Sequence, residues 1–334
     1  MDEQKMKHIL VLGGTGFVGS HVCEKLGQAG YRVSVATRKA RNASHIQHVP
    51  TLTVLELDIH NEAALTQAMQ GVDAVVNLVA ILHGSAAAFE RVHVELPQKI
   101  GRACVKNAVR HLVHISALGV NAEHPETAPS NYLRSKSRGE QTLQNITRQT
   151  QSETQLTVLR PSVIFGAKDQ FLNVFAKLQR VFPVMPLACA TAKFQPVWVE
   201  DVALAVVRCL QLSDPTIKAL PVLEAVGPHV FTLKSLVQLA ARYSGIGQGR
   251  GRPVIGLPRW MGKIQAVILG CMPGEPVMSV DNLDSMRIDN VSTGELPGLQ
   301  ALEIHAASLV AVAPSYLLHD PADQGLLAIR RRSR

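Results

Sequence analysis

The sequence predicts an α/β fold, with a doubly wound parallel sheet in the first half of the chain and a smaller, mostly helical C-terminal lobe. Short aliphatic segments alternate with longer helical ones up to about residue 160, which is the pattern of parallel strands joined by helical crossovers. These aliphatic segments lack polar alternation, as expected of strands covered by helices on both faces. After Arg160 and Pro161, prolines and glycines become frequent and the helical segments shorten, which predicts the second lobe.

The expected elements follow from this alternation. Strands are predicted at residues 8–12, 32–36, 52–56, 74–79, 111–116 and 156–159. Helices are predicted between them, at residues 17–28, 62–69, 89–107 and 132–149. In the second half, a short strand at residues 197–199 is predicted to return to the sheet ahead of a helix at residues 201–210. Helices and loops are expected from there to about residue 318.

The composition excludes several other classes of protein. Of the 334 residues, 46% are hydrophobic and 18% are charged, which suits one large α/β domain with an appended lobe. The five cysteines are scattered and none belongs to a CxxC pair, so a disulfide framework is not expected. The thirteen histidines form no HExxH motif, and we expect no metal site.

Charge and hydropathy bear on partners and location. The net charge of +8 favours anionic partners, but no interleaving of basic and aromatic residues predicts nucleic-acid binding. No apolar run approaches the ~18 residues of a transmembrane helix, and no signal peptide precedes the first strand, so a cytoplasmic protein is expected. The sequence RRRSR at residues 330–334 is interpreted as a solvated tail or, alternatively, as a membrane or partner contact.

A glycine-rich turn follows the first predicted strand. The sequence GGTGFVG at residues 13–19 lies between that strand and the first helix. Gly13 allows the tight turn, Gly16 lets a pyrophosphate approach the backbone, and Gly19 lets the helix pack closely on the strand. Thr15, Phe17 and Val18 complete the turn, whose free N–H groups favour an anion. This arrangement predicts a Rossmann dinucleotide site; a structural turn without ligand is the alternative.

The end of the second strand predicts which dinucleotide binds. Enzymes that use NAD usually carry an acidic residue there for the ribose 2′-hydroxyl. This chain has Thr37 and Arg38 instead, and a guanidinium suits a 2′-phosphate. NADP(H) is therefore the expected cofactor, unless these cations are ordinary exposed loop charges. Residues 1–165 are assigned to this NADP(H)-binding Rossmann domain and residues 166–334 to the C-terminal lobe, with residues of about 195–210 returning to the first domain.

Two further strand ends are candidates for the adenosine side of the cofactor. Asp58 follows the third strand and is placed to meet the adenine amino group. Ala80 closes the fourth strand in the sequence NLVA, where the adenosine would pass. Either residue is alternatively a strand-end residue without a ligand.

A Ser, Tyr and Lys constellation follows the fifth strand. Ser116 ends that strand, and Tyr132 and Lys136 lie four residues apart, so they share one face of a helix. We interpret Tyr132 as the acid/base, Lys136 as the ribose-binding cation and Ser116 as the group that orients a substrate oxygen. To act as a base near neutral pH, the tyrosine needs a pKa ~3 units below its usual ~10, which is about 4 kcal/mol. The lysine and the cofactor's charge are expected to supply it.

These motifs resemble the extended and atypical short-chain dehydrogenases, with further support from LRPSVIFG at residues 159–166 and VWVEDVA at residues 197–203. The detail is similar to the NADPH-binding accessory subunits of respiratory complex I and their bacterial relatives. The segments that carry this narrower resemblance are HISALG at 114–119, NYLRSK at 131–136, FQPV at 194–197, PGEP at 273–276 and DNLDSM at 281–286. The resemblance spans nearly the whole chain.

The resemblance implies a bound, structural NADPH and complex I subunits as partners, on the inner face of the respiratory membrane. It leaves two functions open. One is an accessory or assembly factor of complex I, docked on its subunits or on the anionic membrane surface. The other is an active NADP-dependent reductase or dehydrogenase with a hydrophobic or quinone-related substrate. Ala117 stands where many extended members have a second hydroxyl residue, which weakens the case for sugar-epimerase chemistry.

Overall fold

The computed structural model describes residues 7–149, 153–211, 221–270 and 278–317. The basic segment at residues 330–334, Cys271 and the segment at residues 273–276 lie outside the described residues. The predicted fold class is confirmed, because a seven-stranded parallel sheet with flanking helices forms the centre of the chain.

The central sheet has the strand order β11-β6-β5-β4-β1-β2-β3, and all its pairings are parallel. Its strands are β1 (His8–Leu12), β2 (Arg32–Thr37), β3 (Leu52–Glu56), β4 (Ala74–Asn77), β5 (His111–Ile115), β6 (Gln155–Pro161) and β11 (Val222–Ala225). The first six match the predicted strands to within two residues at either end. The change in strand order between β1 and β4 opens a crevice at the carboxyl edge of the sheet, where ligands of such folds bind.

Helices cover both faces of this sheet. They are α1 (Phe17–Gln28), α2 (Glu62–Ala68), α3 (Ala86–Glu90), α4 (Leu96–Lys106), α5 (Asn131–Gln149) and α7 (Val199–Gln211). One buried cluster joins alternate strand residues such as Val11 and Val35 to α1 and α7. A second joins the intervening residues, such as Leu10 and Leu12, to α2, α4 and α5. Burial on both faces explains the lack of polar alternation in the strands.

The helix predicted at residues 89–107 is interrupted. A π-helical turn, Arg91–Glu95, separates α3 from α4. The turn brings the backbone of His93 against α5, where a Cβ on Gly139 would lie 1.8 Å from the His93 carbonyl oxygen. The periodicity of the sequence does not reveal this interruption, because the π turn depends on contact with a helix more than forty residues later.

The return of residues 197–199 to the central sheet is not observed, and that prediction is wrong. The strand β10 (Val197–Trp198) pairs instead with β7 (Ile164–Phe165) in a separate two-stranded sheet. The strand β11 occupies the position beside β6, so no place remains there for β10. The helix that follows, α7, still packs against α1 on the face of the central sheet.

The second half of the described chain also contains short strands and helices. They are α6 (Leu172–Val181), β8 (Met185–Ala188), β9 (Lys193–Phe194), β12 (Phe231–Thr232), α8 (Leu233–Tyr243), β13 (Val254–Leu257), α9 (Arg259–Gly270), α10 (Val280–Ser285) and α11 (Leu309–Leu317). Three of these helices, α6, α8 and α11, enclose a separate core with Phe175, Leu236 and Leu309 among its buried members.

Candidate functional site

All the predicted site residues lie at the carboxyl edge of the parallel sheet. The glycine turn follows β1, and one or more predicted residues end or follow each of the neighbouring strands β2 to β5. The residues placed at these positions are Gly13, Thr15, Gly16, Phe17, Val18, Gly19, Arg38, Asp58, Ala80 and Ser116, with Tyr132 and Lys136 on α5. The carboxyl ends of parallel strands meet at one edge, so residues far apart in sequence share one crevice.

The glycine turn has the geometry of a phosphate-binding loop. Gly13 adopts a φ of +83°, and the N–H of Gly16 donates to the Gly13 carbonyl oxygen (3.1 Å). A Cβ on Gly19, the third residue of α1, would lie 2.1 Å from that oxygen, so the helix can pack this closely on the turn only with glycine there. A Cβ on Gly16 would meet only the same oxygen, at 3.3 Å, and its other sides are open. Space is therefore left beside Gly16 for a ligand.

The start of α1 offers its N–H groups to that space. Gly16 is the N-cap residue and provides no side chain to accept from the first turn, which also contains no acidic residue. The unsatisfied N–H groups and the positive end of the helix dipole favour an anion. The residues present therefore fit the pyrophosphate of a dinucleotide, which would contact the backbone of the glycine turn.

A polar contact attaches α1 to the second half of the chain. The carboxylate of Glu200, in the first turn of α7, accepts from His21 Nδ1 (2.5 Å) and forms an ion pair with Lys25 Nζ (2.9 Å). The hydrogen bond from His21, and then that from Lys25, hold the pKa of Glu200 at about 2. The ring of Phe17 packs edge-on against His21. Gly166, after β7, lies close enough that a Cβ would be 3.2 Å from Phe17.

The candidates for the adenosine side are exposed at the strand ends. Arg38 follows directly on β2, with its side chain in solvent, while the hydroxyl of Thr37 donates to the Lys39 carbonyl oxygen (3.3 Å). Asp58 follows β3, and its Oδ1 accepts from the N–H of His60 (2.9 Å) in a local turn. Ala80 is exposed beyond β4. Arg38 and Asp58 follow strands on the β2–β3 side of the crevice, and Ala80 follows β4 on its other side.

The structure brings Ser116, Tyr132 and Lys136 together. Lys136 is only 2% exposed, and its Nζ donates to the carbonyl oxygen of Ile115 (2.7 Å), the residue before Ser116. The ring of Tyr132 packs against a buried cluster that contains Ala117. The hydroxyl of Ser116 is buried and has no hydrogen-bond partner among the described residues. Such an unsatisfied hydroxyl indicates a position where a ligand atom or a water completes the site.

Burial dominates the electrostatics that the protein itself imposes on the Tyr132–Lys136 pair. Burial raises the pKa of Tyr132 to about 12, whereas a base working near neutral pH needs a lowered value. Burial also lowers the pKa of Lys136 to about 8, although the carboxylate of Glu140 one turn away opposes that shift. The protein alone therefore stabilises the neutral phenol and weakens the cation that would activate it.

His93 is a site residue that the sequence did not reveal. Its Nε2 accepts from the N–H of Ile81, next to Ala80 (3.1 Å), so its Nδ1 carries the proton that is donated to Ser135 Oγ (2.9 Å). The Ser135 hydroxyl donates in turn to the carbonyl oxygen of Tyr132 (2.8 Å). Burial, and then the Lys136 charge, lower the pKa of His93 to about 3. A neutral His93 thus links the loop after β4 to the tyrosine helix. No local sequence signal marks it.

A second missed residue lies in the DNLDSM segment. The carboxylate of Asp281 accepts from the N–H groups of Asn131 (2.8 Å) and Tyr132 (3.0 Å), which are the first two of α5. An acidic residue at a helix N-terminus satisfies free N–H groups and complements the dipole. The C-terminal lobe therefore supplies the cap of the helix that carries Tyr132 and Lys136. The resemblance singled out the segment, but only the fold shows this contact.

Within the described ranges, no group of three or more His, Cys, Asp or Glu side chains is placed to hold a metal ion. The two strand histidines, His111 and His114, are buried and hydrogen-bond to Thr157 Oγ1 (2.9 Å) and Asn77 Nδ2 (3.0 Å). None of the helices in the described part of the chain is long and apolar enough to cross a membrane.

Comparison with known proteins shows the family to which the chain belongs. The sequence model of the NAD dependent epimerase/dehydratase family matches residues 9–218, which include every predicted site residue. A solved UDP-glucuronic acid 4-epimerase of Bacillus cereus, in complex with a UDP-sugar analogue and NAD, shares the fold. It superposes with a TM-score of 0.66 at 18% identity, over 93% of this chain and 98% of that one.

Several of the similar curated proteins are named as subunits of NADH dehydrogenase [ubiquinone] or NADH-ubiquinone oxidoreductase. The mouse protein named NADH dehydrogenase [ubiquinone] 1 alpha subcomplex subunit 9, mitochondrial, is 29% identical over 312 residues, which are 90% of this chain and 76% of that protein. The NADH-ubiquinone oxidoreductase 40 kDa subunit of Neurospora crassa is 25% identical over 311 residues, covering 92% and 78%. The similarity thus extends well beyond the residues matched by the family model.

Proposed function

Because this chain belongs to the NAD dependent epimerase/dehydratase family, we propose that it binds NADP(H) as a structural ligand and serves as an accessory or assembly factor of respiratory complex I. The similarity to complex I subunits over nine-tenths of the chain supports this role. Its location would then be peripheral, on the inner face of the respiratory membrane.

The proposed nucleotide lies along the carboxyl edge of the sheet. Its pyrophosphate contacts the glycine turn from Gly13 to Gly19, and its 2′-phosphate pairs with Arg38. Asp58 and Ala80 lie along the adenosine, while Tyr132 and Lys136 lie at the nicotinamide ribose. A bound nicotinamide nucleotide supplies hydride chemistry when it turns over.

The observation that carries the structural role is the state of the Tyr132–Lys136 pair. The ring of Tyr132 packs against Phe89 in α3 and His93 in the π turn. Lys136 is held by the hydrogen bond that its Nζ donates to the Ile115 carbonyl oxygen. Burial raises the pKa of Tyr132 to about 12, which opposes use of its phenolate as a base. The protein's own groups thus favour a neutral phenol that can hydrogen-bond a nucleotide, and a base role would require the charge of a bound cofactor to lower this pKa.

A specific observation favours the second candidate, an active NADP-dependent reductase. The buried hydroxyl of Ser116 has no partner among the described residues and is therefore available to a substrate carbonyl oxygen. In that reaction the neutral Tyr132 would donate its proton to the reduced oxygen. A neutral phenol can act as this acid while the nicotinamide delivers hydride to the carbonyl carbon.

Cofactor choice gives the first test. We expect NADPH to bind at least about tenfold more tightly than NADH, a difference of ~1.4 kcal/mol. Arg38→Ala should remove most of that preference and leave NADH binding nearly unchanged, because only the 2′-phosphate loses its partner. Isothermal titration calorimetry measures both affinities. Arg41→Ala, an exposed cation nearby, is the matched control and should change neither. Equal affinities in the unmutated protein would refute the NADP(H) assignment.

Tyr132→Phe separates the two candidate functions. If the role is structural, the variant should retain its nucleotide and copurify with complex I, since the ring still packs against Phe89 and His93. Affinity purification, with mass spectrometry of the released nucleotide and of the subunits, measures both. Should the variant stay folded and nucleotide-bound, yet reproduce the phenotype of a deletion strain, the tyrosine is a working acid and the reductase function replaces the structural one.

A further inference from the structure

The positive charge of the chain is concentrated in two stretches of its second half. Residues 170–199 and 225–270 contain nine Lys and Arg and no Asp or Glu, whereas the rest of the chain contains 25 Lys and Arg against 26 Asp and Glu. The excess charge that the composition indicates is therefore local. A surface of one sign attracts an anionic partner over a distance set by the ionic strength.

The same stretches expose large apolar side chains close together. We name these residues the apolar face: Val181, Phe182, Ile255, Trp260, Met261 and Ile264. Trp260 is 65% exposed and Ile264 is 54% exposed, although residues of their size are normally largely buried. A contiguous exposed apolar surface marks an interaction site more often than scattered single residues do.

Helix α9 shows how the apolar face is built. Its small residues, Gly262 and Ala266, are buried against the protein, and a Cβ on Gly262 would lie 2.4 Å from the Cβ of Ala188 in β8. Trp260, Met261 and Ile264 are exposed, and the exposed cations Arg259 and Lys263 lie next to them in the sequence. A surface helix of a globular domain normally buries its large apolar residues, so residues 259–266 of α9 have the reverse arrangement.

Hydrogen bonds join the parts of the apolar face. Gln265 Nε2, on α9, donates to the carbonyl oxygen of Pro186 in β8 (3.3 Å). Pro186 is in turn the register partner of Ile255 in β13. The N–H of Met185 donates to the carbonyl oxygen of Pro253 (2.9 Å). The turn after α6, with Val181 and Phe182, therefore lies beside β13 and α9 rather than apart from them.

We propose that the apolar face docks into the interfacial region of an anionic phospholipid bilayer. Tryptophan is enriched at the headgroup level of membranes, and a helix with outward apolar residues and flanking cations lies in the membrane plane. The exposed cations Arg259 and Lys263 beside these apolar residues complement anionic headgroups. This inference deepens the peripheral location proposed above, because it assigns that location to a particular surface.

Vesicle binding of the full chain tests the proposal. The protein should sediment with phosphatidylcholine vesicles that contain about one third phosphatidylglycerol, and at least about tenfold less with phosphatidylcholine alone. Trp198→Phe leaves Trp260 as the only tryptophan. Its fluorescence should then shift to the blue on vesicle binding and be quenched by brominated lipid, since the indole leaves water for the interface.

Two double variants and two controls locate the contact. Trp260→Ser with Ile264→Ser should lose about tenfold or more in vesicle partition, and Arg259→Gln with Lys263→Gln should reduce its dependence on salt. The controls are Val310→Ser, an exposed aliphatic residue elsewhere, and Arg91→Gln with Lys106→Gln, exposed cations near α4. Both should bind vesicles as the wild type does.

Equal vesicle binding by the Trp260→Ser, Ile264→Ser variant and the wild type would overturn the inference. A Trp260 fluorescence spectrum that does not change on adding vesicles would also overturn it. That result is expected if the apolar face contacts a protein subunit or a second copy of the chain instead of a bilayer. Circular dichroism establishes that each variant is folded. Copurification with complex I in detergent reports on the proposed function alone, so the two failures are distinguishable.

Discussion

Gly19→Ala is expected to abolish nucleotide binding and to destabilise the fold by about 3 kcal/mol or more. The new Cβ would lie 2.1 Å from the carbonyl oxygen of Gly13 and 2.6 Å from the Cα of Gly14. Both are backbone atoms of the phosphate loop, so α1 must move away from the turn to relieve the overlap. Urea unfolding of the nucleotide-free protein and calorimetric titration with NADPH measure the two effects.

Gly16→Ala is the matched comparison, with an equal change in volume three residues earlier. Its Cβ would meet only the Gly13 oxygen at 3.3 Å, and the φ of −82° suits alanine. The nucleotide-free protein should therefore lose about 1 kcal/mol or less, the usual cost at an N-cap. Nucleotide affinity should still fall, because the methyl group occupies the space proposed for the pyrophosphate.

The pair of variants also tests whether the nucleotide is structural. A ligand present at about 100 times its dissociation constant stabilises the folded state by ~2.7 kcal/mol. Gly16→Ala should lose this contribution, which the melting temperature with and without NADPH reports. If Gly16→Ala binds NADPH as tightly as the wild type, the glycine turn does not hold the pyrophosphate and the proposed pose is wrong.

Arg160→Met is expected to cost about 3–5 kcal/mol of unfolding free energy, because a buried carboxylate loses its guanidinium partner and keeps the neutral Gln144 amide as a donor (3.2 Å). The Glu140 side chain is 0% exposed, and its carboxylate oxygens accept from Arg160 Nε (3.1 Å) and Arg160 Nη2 (2.5 Å). This bidentate pair connects α5 to β6, one turn beyond Lys136. Urea denaturation measures the loss. The larger part of the expected cost is desolvation of the remaining charge rather than the loss of attraction.

Two controls separate burial from charge pairing. Arg102→Met breaks the exposed pair with Glu62, whose side chains are 50% and 41% exposed, and should cost less than about 1 kcal/mol. The double variant Arg160→Met with Glu140→Leu removes both buried charges and should be more stable than Arg160→Met alone. The single variant Glu140→Leu completes the double-mutant cycle. If the losses of unfolding free energy in the two single variants add up to the loss in the double variant, the two charges do not interact and the expectation is contradicted.

Elements that local sequence patterns determine are predicted correctly, and elements that depend on contacts distant in sequence are not. The six strands of the first half, the start of α1 and the helix with Tyr132 were predicted because local periodicity and glycine placement determine them. The strand at residues 197–199 was misplaced, since its pairing depends on Val222–Ala225 taking the sheet edge. The π turn at Arg91–Glu95 was missed for a similar reason, as it is shaped by contact with α5.

By itself, the sequence determined the fold class and the carboxyl-edge crevice, because strand alternation and a strand–turn–helix glycine motif are local properties. Only the tertiary structure decided how the site is supported and how its groups ionise. Asp281 caps the tyrosine helix from 150 residues away, and His93 joins that helix to the loop after β4. The groups packed around the phenol raise the pKa of Tyr132 by burial, and this desolvation depends on the whole fold, which no spacing of residues records.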